Sequence, residues 1–172
     1  PETAGAGVEV RPARVGEATR ARSARWHSAN AHLAVPEAAI SIYHDGTHRL
    51  LVPPEELAAL LGDADLAAPT HGYRDCIYEE AHKVLELRLD TPEVVGAQMA
   101  RARAEGHPAH GGLWELTVLI RRHTPAVAAF NEMWWAEIRR GSWRDQLSFP
   151  VVARRLGLKV APLCSGGYAD PH

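Results

Sequence analysis

The amino-acid sequence predicts an α/β domain in which helices flank a mostly parallel sheet. Segments rich in β-branched residues alternate with segments of helical character, and this alternation is typical of parallel sheets built from strand–helix–strand units. The 172 residues are enough for one hydrophobic core, and 46% hydrophobic with 23% charged residues is the composition of a folded globular protein. We therefore expect a flexible leader at residues 1–7 and a single domain over residues 8–172.

Local patterns predict the elements in order along the chain. In the first half they predict a strand at 8–10, a basic helix at 17–33, a strand at 39–43, a helix at 53–61 and a strand at 65–69. In the second half they predict helices at 75–87 and 91–104, a strand at 115–120, helices at 124–138 and 144–156, and a strand at 159–163. Asp75 is the expected N-cap of its helix, and the Thr-Pro pairs at 91–92 and 124–125 are typical helix starts.

Two loops follow predicted strands, and ligands in such sheets bind beyond the carboxyl ends of strands. One is His44-Asp45-Gly46, after the strand at 40–43, which we expect to be central and to lie beside the loop at 71–75. The other is the loop at 121–123. In the first of these loops, Asp45 would offer an oxygen ligand to a hard divalent cation. Asp-Gly is equally a common turn dipeptide, so both interpretations stay open.

A compact polar cluster, Arg144-Asp145-Gln146, opens the predicted helix at 144–156. Such a cluster suits sugar hydroxyls and phosphate, although Asp145 could instead cap the helix. Trp134 and Trp135 lie on the preceding helix. We expect one of them in the core and the other as an aromatic platform for a sugar face.

Charge and cysteine content exclude several classes of protein. A formal net charge of -2 gives no global positive field for nucleic acid, and no apolar stretch approaches the roughly 20 residues that a membrane span needs. Cys76 and Cys164 lack the spacing of a metal site, and the ten histidines form no recognised zinc signature. Two cysteines suit a reducing compartment, so a cytoplasmic protein is expected.

Six sequence blocks occur together in a fixed order. They are SIYHDG at 41–46, HGYRDCIYEEA at 71–81, GLWE at 112–115, RRHT at 121–124, WW at 134–135 and RDQLSF at 144–149. Over roughly residues 8–160 this order resembles the glycosyltransferase-like domain shared by plant mucilage-related and turgor-related Golgi proteins and by bacterial homologues. The resemblance implies a GT-A-like fold, a nucleotide-sugar donor, a hydroxyl-bearing acceptor, and Mn²⁺ or Mg²⁺.

The resemblance also implies roles for individual residues. Asp45 and His172 would be metal ligands, and Arg144, Asp145 and Gln146 would be catalytic. The residues implied in donor and substrate binding are His71, Arg74, Asp75, Glu79, Glu115, Arg122, His123 and Trp135. Thr47 and His48 follow Asp45, so no Asp-x-Asp pair is present, and no counterpart of the family's opening strand precedes residue 8. The chain is then an excerpt of a longer one, or its N-terminus diverges.

Two other functions remain open at this point. A metal-dependent hydrolase could use His44, Asp45 and His71, since histidine and aspartate are common metal ligands. A sugar-binding domain without catalysis could keep the same fold, because a fold does not define an activity. A hydrolase would release product without an acceptor, whereas a silent domain would bind ligand without turnover.

Overall fold

The computed structural model of the protein describes residues 19–163. Several predictions fall on the remaining residues and lie outside the described part of the chain. They are the leader at 1–7, the strand at 8–10, and His172 as a metal ligand. Cys164 also lies outside this range, whereas Cys76 is buried and carries a free thiol.

Within residues 19–163 the chain alternates helices and strands, which confirms the α/β class. The strands are β1 (Ile40–His44), β2 (Leu66–Pro69), β3 (Val118–Arg122) and β4 (Val160–Leu163). The helices are α1 (Arg20–Ala29), α2 (Ala31–Ala34), α3 (Pro54–Ala59), α4 (Ile77–Glu86), α5 (Pro92–Ala104), α6 (Pro125–Arg140) and α7 (Phe149–Arg155), with a 3₁₀ turn at Asp145–Leu147.

Side-chain caps define where the longest helices begin. The hydroxyl of Thr91 accepts a hydrogen bond from the backbone N–H of Val94 at the start of α5, and Thr124 does the same for Val127 at the start of α6. A proline follows each threonine, and its fixed φ suits the first helical turn. Both starts agree with the sequence prediction.

The four strands form one sheet in the order β1-β3-β2-β4. β3 is antiparallel to both β1 and β2, and β2 is parallel to β4, so the sheet is mixed rather than mostly parallel. The prediction that residues 40–43 form a central strand was wrong, because β1 pairs only with β3 and lies at one edge of the described sheet. Local patterns fix where strands occur, but ladder hydrogen bonds form with either strand direction, so they do not fix the partner.

Helices cover both faces of the sheet. On one face α1, α6 and α7 pack against Leu66, Ala68 and Leu119, with Phe130, Trp134 and Phe149 at the centre of this core. On the other face Ala67 and Ile120 pack with Leu57 of α3 and with Leu61. A third cluster joins α4 and α5 to Leu147 and Val151. Leu147 therefore anchors the 3₁₀ turn in this third cluster.

Several predicted boundaries differ from the structure, among them the helix predicted at 17–33, which is interrupted at Asn30 and forms α1 and α2. β3 begins at Val118 and runs through Arg121 and Arg122, because the buried Arg121 side chain finds carbonyl acceptors inside the protein. The predicted helix at 144–156 is a 3₁₀ turn followed by α7, which has a proline in its first turn. Cys76, not Asp75, occupies the N-cap position of α4, and its side chain makes no capping bond.

Candidate functional site

The strand directions bring distant loops to one edge of the sheet. β1, β2 and β4 run in the same direction and β3 runs the opposite way. The carboxyl ends of β1 and β2 therefore lie at the same edge as the residues that precede β3. Asp45, His71 and Glu115 follow or precede these strand ends, and this edge carries the candidate site.

A cavity of about 360 Å³ opens at this edge. Four separate parts of the chain line it: α1, the end of β1, the segment before β3, and the 3₁₀ turn. The lining residues are Arg25, Asp45, Thr47, His48, Glu115, Leu116, Thr117, Arg144, Asp145 and Gln146. All three residues expected to be catalytic thus share one cavity with Asp45, which was expected to be a metal ligand.

Asp45 is held in place from two sides. Its backbone N–H donates to the carbonyl of Thr117 at 2.9 Å, which continues the β1–β3 ladder by one residue. The hydroxyl of Tyr43 donates to Asp45 Oδ1 at 2.7 Å. Burial raises the pKa of the Tyr43 phenol, and the bond to Asp45 raises it further, so the phenol stays a proton donor. The Asp45 carboxylate is half-buried and oriented before any ligand arrives.

Asp145 is almost fully buried, with 2% of its side chain exposed, and it forms an ion pair with Arg25. Arg25 Nη1 lies 3.1 Å from Asp145 Oδ2, and that oxygen has no hydrogen-bond partner within residues 19–163. Burial raises the pKa of Asp145, whereas Arg25 and Arg144 oppose this rise and Asp45 adds to it. The Asp145 backbone carbonyl accepts from Ser148 Oγ at 3.1 Å, which fixes the turn. The ion pair with Arg25 requires the Asp145 carboxylate to be ionised.

Arg144 and Gln146 are locked to each other at the cavity wall. Arg144 Nη2 donates to Gln146 Oε1 at 2.7 Å, and Gln146 Nε2 donates to the carbonyl of Trp114 at 3.3 Å. The guanidinium also lies over the Trp143 ring at 5.4 Å. A planar guanidinium fixed in this way can offer parallel N–H groups to a phosphate or carboxylate.

A second polar cluster surrounds the buried carboxylate of Glu80. Arg74 Nε donates to Glu80 Oε2 at 2.8 Å, and Arg144 Nη2 lies 3.9 Å from Glu80 Oε1, so Glu80 links the two arginines. His71 Nδ1 accepts from the backbone N–H groups of Tyr73 and Arg74, which leaves the proton on Nε2. Burial and Arg74 both lower the pKa of His71, so it is neutral at pH 7. His71 and Arg74 therefore support the wall of the site that carries Arg144.

Asp75 and Glu79 lie outside the cavity, near the exposed start of α4. Asp75 Oδ1 lies 2.6 Å from His110 Nδ1, and the ligand atoms of these three residues all lie within 4.8 Å of one another. Within residues 19–163 they are the one group of three such side chains close enough to share a metal ion. Sequence reasoning assigned Asp75 and Glu79 to the donor and missed His110, which lies in a turn and not at the end of a strand.

Arg122, His123 and Trp135 are not brought to the cavity. Because β3 runs opposite to its neighbours, its carboxyl end with Arg122 and His123 lies at the far edge of the sheet. Arg122 Nη2 donates there to the carbonyl of Gly62 at 2.7 Å, and His123 Nε2 pairs with Ser41 Oγ at 2.9 Å. Trp135 packs against the main core, and Trp134 is fully buried within it.

Sequence reasoning missed Arg25, Tyr43 and Glu80. Arg25 is one of several arginines on α1, and the sequence pattern of that helix does not distinguish the residue facing the site. Tyr43 and Glu80 belong to the ordered sequence blocks, which is the signal that could have found them. Their roles become visible only through contacts with Asp45 and Arg74.

The fold and the cavity define the class of this protein. It is an α/β domain with a polar pocket of carboxylates and guanidinium groups at the carboxyl ends of β1 and β2, the edge at which ligands bind in α/β sheets. The sequence profile of the TOD1/MUCI70 glycosyltransferase-like domain matches residues 22–164, and the chain belongs to this family. No curated protein and no solved structure gives a significant match. Between residues 19 and 163, none of the helices combines the length and apolar character required to cross a bilayer.

Proposed function

We propose that this domain transfers a sugar from a nucleotide-sugar donor to a hydroxyl group of a glycan or small-molecule acceptor, with help from Mg²⁺ or Mn²⁺. The observation that carries the proposal is the cavity in which Asp45, at the end of β1, faces the same space as Arg25 and Arg144. Membership of a glycosyltransferase-like family supports the reaction class.

The charges of the cavity favour a bound cation. Three carboxylates, those of Asp45, Glu115 and Asp145, line it against the two guanidinium groups. A diphosphate entering this space alone would meet a net negative wall. A divalent cation reverses that balance, and oxygen donors such as carboxylates and threonine hydroxyls are the ligands that Mg²⁺ prefers. Asp45 would therefore contribute one oxygen ligand to such a cation, since within residues 19–163 no group of three close ligands includes it.

In this proposal Asp45 would hold the cation. When bound, the cation would supply positive charge that stabilises the departing diphosphate. Tyr43 orients the Asp45 carboxylate through its hydroxyl. Arg144, fixed by Gln146, binds phosphate oxygens, and Glu115 is available at the wall for sugar hydroxyls. His172 remains a proposed ligand outside the described residues.

The test is metal-dependent binding of nucleotide sugars, measured by calorimetry and thermal shift over a panel of donors. We expect at least one donor to stabilise the protein in Mg²⁺ or Mn²⁺, because a ligand that binds only the native state raises its stability. Asp45→Asn should abolish the metal-dependent part of the affinity while the protein still folds. Asp63→Asn is the matched control, since Asp63 is exposed and pairs with Lys159 outside the cavity.

Equal donor affinity with and without metal, in wild type and Asp45→Asn alike, would contradict the metal role. Release of free sugar without an acceptor would instead favour the hydrolase. The hydrolase cluster has no geometric support, because His44, Asp45 and His71 do not form a three-ligand group within the described residues. Donor binding without turnover in the presence of acceptors would favour the silent sugar-binding domain.

A further inference from the structure

We infer that Arg25 is a binding residue for the diphosphate of the donor, and that the buried carboxylate of Asp145 is its positioning residue. The inference rests on the proposed function and adds a side chain that lies outside the sequence blocks that carry the family resemblance. It also assigns Asp145 a role other than direct contact with the sugar.

The contacts of Arg25 leave its guanidinium available to a ligand. Asp145 is its one ion-pair partner within residues 19–163, at 3.1 Å through Nη1. The Arg25 side chain is 17% exposed and lines the cavity, whereas Asp145 is 2% exposed. A guanidinium has five N–H donors, so one carboxylate does not saturate it. The remaining donors can serve an anion that enters the cavity.

Helix α1 is anchored firmly enough to place this guanidinium in advance. Arg22, one turn before Arg25, donates to the carbonyls of Ile138 and Gly141 at the end of α6. At the other end of α1, Arg121 donates to the carbonyl of Ala29. Because both ends of α1 are tied to the core, Arg25 loses little conformational freedom when a ligand binds.

The chemistry of the anion follows from the two guanidinium groups. Arg25 and Arg144 both line the cavity and come from different elements, α1 and the segment before the 3₁₀ turn. Planar guanidinium groups bind phosphate oxygens through parallel N–H groups. Two such groups suit two linked phosphates better than one, and Asp45 in the same cavity would hold a cation that balances their charge. A diphosphate is therefore the ligand class that this arrangement fits.

The experiment measures binding of inorganic pyrophosphate to the full chain by calorimetry in the presence of Mg²⁺. Arg25→Gln should weaken pyrophosphate affinity about tenfold or more, the scale of a lost charge-assisted bond. Arg25→Lys keeps the positive charge but lacks the planar set of N–H donors, so its pyrophosphate affinity should lie between those of wild type and Arg25→Gln. Arg20→Gln removes the same charge from an exposed position on the same helix and should bind like wild type.

Arg25→Gln leaves the Asp145 carboxylate buried without its partner, so this variant is expected to lose stability as well as affinity. The double variant Arg25→Gln with Asp145→Asn removes both charges. It should recover thermal stability toward wild type while pyrophosphate binding stays weak. Asp145→Asn alone should weaken pyrophosphate binding several-fold, because Arg25 loses the contact that positions it.

The outcomes distinguish this inference from the proposed function. If Arg25→Gln binds pyrophosphate like wild type, or wild type does not bind it, the inference is overturned, whatever the donor panel gives. If pyrophosphate binding depends on Arg25 but every nucleotide sugar fails to bind, the inference holds and the glycosyltransferase proposal fails. Recovery of binding together with stability in the double variant would also overturn the inference, because the role of Arg25 would then be structural.

Discussion

At the residue scale, Gly141 controls the path of the chain from α6 into the site. A Cβ atom at Gly141 would lie 2.7 Å from Gln98 Oε1 and 3.0 Å from the carbonyl of Glu137. Gln98 is buried, and its Oε1 accepts the backbone N–H of Ser142 at 2.8 Å. The hydroxyl of Ser142 in turn accepts from the backbone N–H of Arg144 at 3.1 Å. The absence of a side chain at Gly141 therefore allows the hydrogen bonds that fix the backbone leading to Arg144.

We predict that Gly141→Ala lowers the free energy of unfolding by about 1–3 kcal/mol, the usual effect of overpacking a buried site. The displaced Gln98 amide would release Ser142, so pyrophosphate affinity should fall in parallel. Urea unfolding and calorimetry check both effects. Gly96→Ala on α5 is the control, since a Cβ atom there meets nothing within 4 Å. A Gly141→Ala protein as stable as wild type would show that Gln98 moves aside freely.

At the element scale, the buried Arg121 of β3 connects the sheet to α1. Its guanidinium donates to the carbonyls of Ser28 and Ala29 and to Asn131 Oδ1. These carbonyls belong to the last turn of α1, where a cation also complements the helix dipole. Burial lowers the pKa of Arg121 to about 9, which still leaves it charged at pH 7. Arg121 thus holds the helix that carries Arg25.

We predict that Arg121→Lys destabilises the protein by about 1–3 kcal/mol, because one ammonium group cannot serve acceptors on both α1 and α6. Looser docking of α1 should also weaken pyrophosphate binding, although Arg121 does not line the cavity. Thermal unfolding and calorimetry measure the two effects. Arg139→Lys, at an exposed position on α6, should change neither. Lost stability with unchanged affinity would mean that the position of Arg25 does not depend on this link.

Local sequence patterns predicted most elements of the fold because helix starts and β-rich runs are local signals. Thr91 and Thr124 are examples, since their caps depend only on the next three residues. Arg25 could not be predicted in this way. Arg20, Arg22 and Arg25 share one short helix, and only tertiary packing decides that Arg25 faces the cavity. The same reason explains why Glu80 was overlooked.

At the scale of the whole molecule, buried and half-buried histidines link stability to pH. Burial lowers the pKa of His32, His71, His107 and His123 below the ordinary value. When folding lowers the pKa of a histidine, its contribution to stability is fully present above the pKa of the unfolded state. That contribution is lost as the pH falls through the pKa of the unfolded state toward the pKa of the folded state. The pKa of His110 is shifted in the opposite direction, since Asp75 raises it. His110 is fully exposed, so solvent screens its interaction with Asp75.

We therefore predict that the melting temperature falls by a few degrees between pH 7 and pH 5, as measured by scanning calorimetry at constant ionic strength. His107→Leu should flatten this dependence, because both ring nitrogens of His107 are buried without a partner within the described residues. Leucine has a similar volume and does not ionise. A melting temperature that is constant or rises over this range would contradict the prediction.

The strand-end rule predicted the position of one loop correctly and of another wrongly, for one topological reason. It correctly took Asp45 to the edge of the sheet that also carries the loop after β2. It also selected the residues after β3, but Arg122 and His123 lie at the opposite edge because β3 is antiparallel to β1 and β2. The direction of a strand depends on the whole connection between elements, and no local pattern encodes it. The roles of the site residues and the cytoplasmic location stay predictions.

Because the chain is synthesised from its N-terminus, the pairing of β1 with β3 also affects when the site can form during translation. Ile40 pairs with Arg122, and Arg25 pairs with Asp145, so each partner is separated from the other by most of the domain. During synthesis α1 and β1 must wait for β3 and the 3₁₀ turn to emerge, and until then β1 lacks the one partner strand that it has within residues 19–163. The pocket therefore assembles only at the end of translation of this domain. A nascent chain that stops before Asp145 has no complete site, however much of its helical structure has formed.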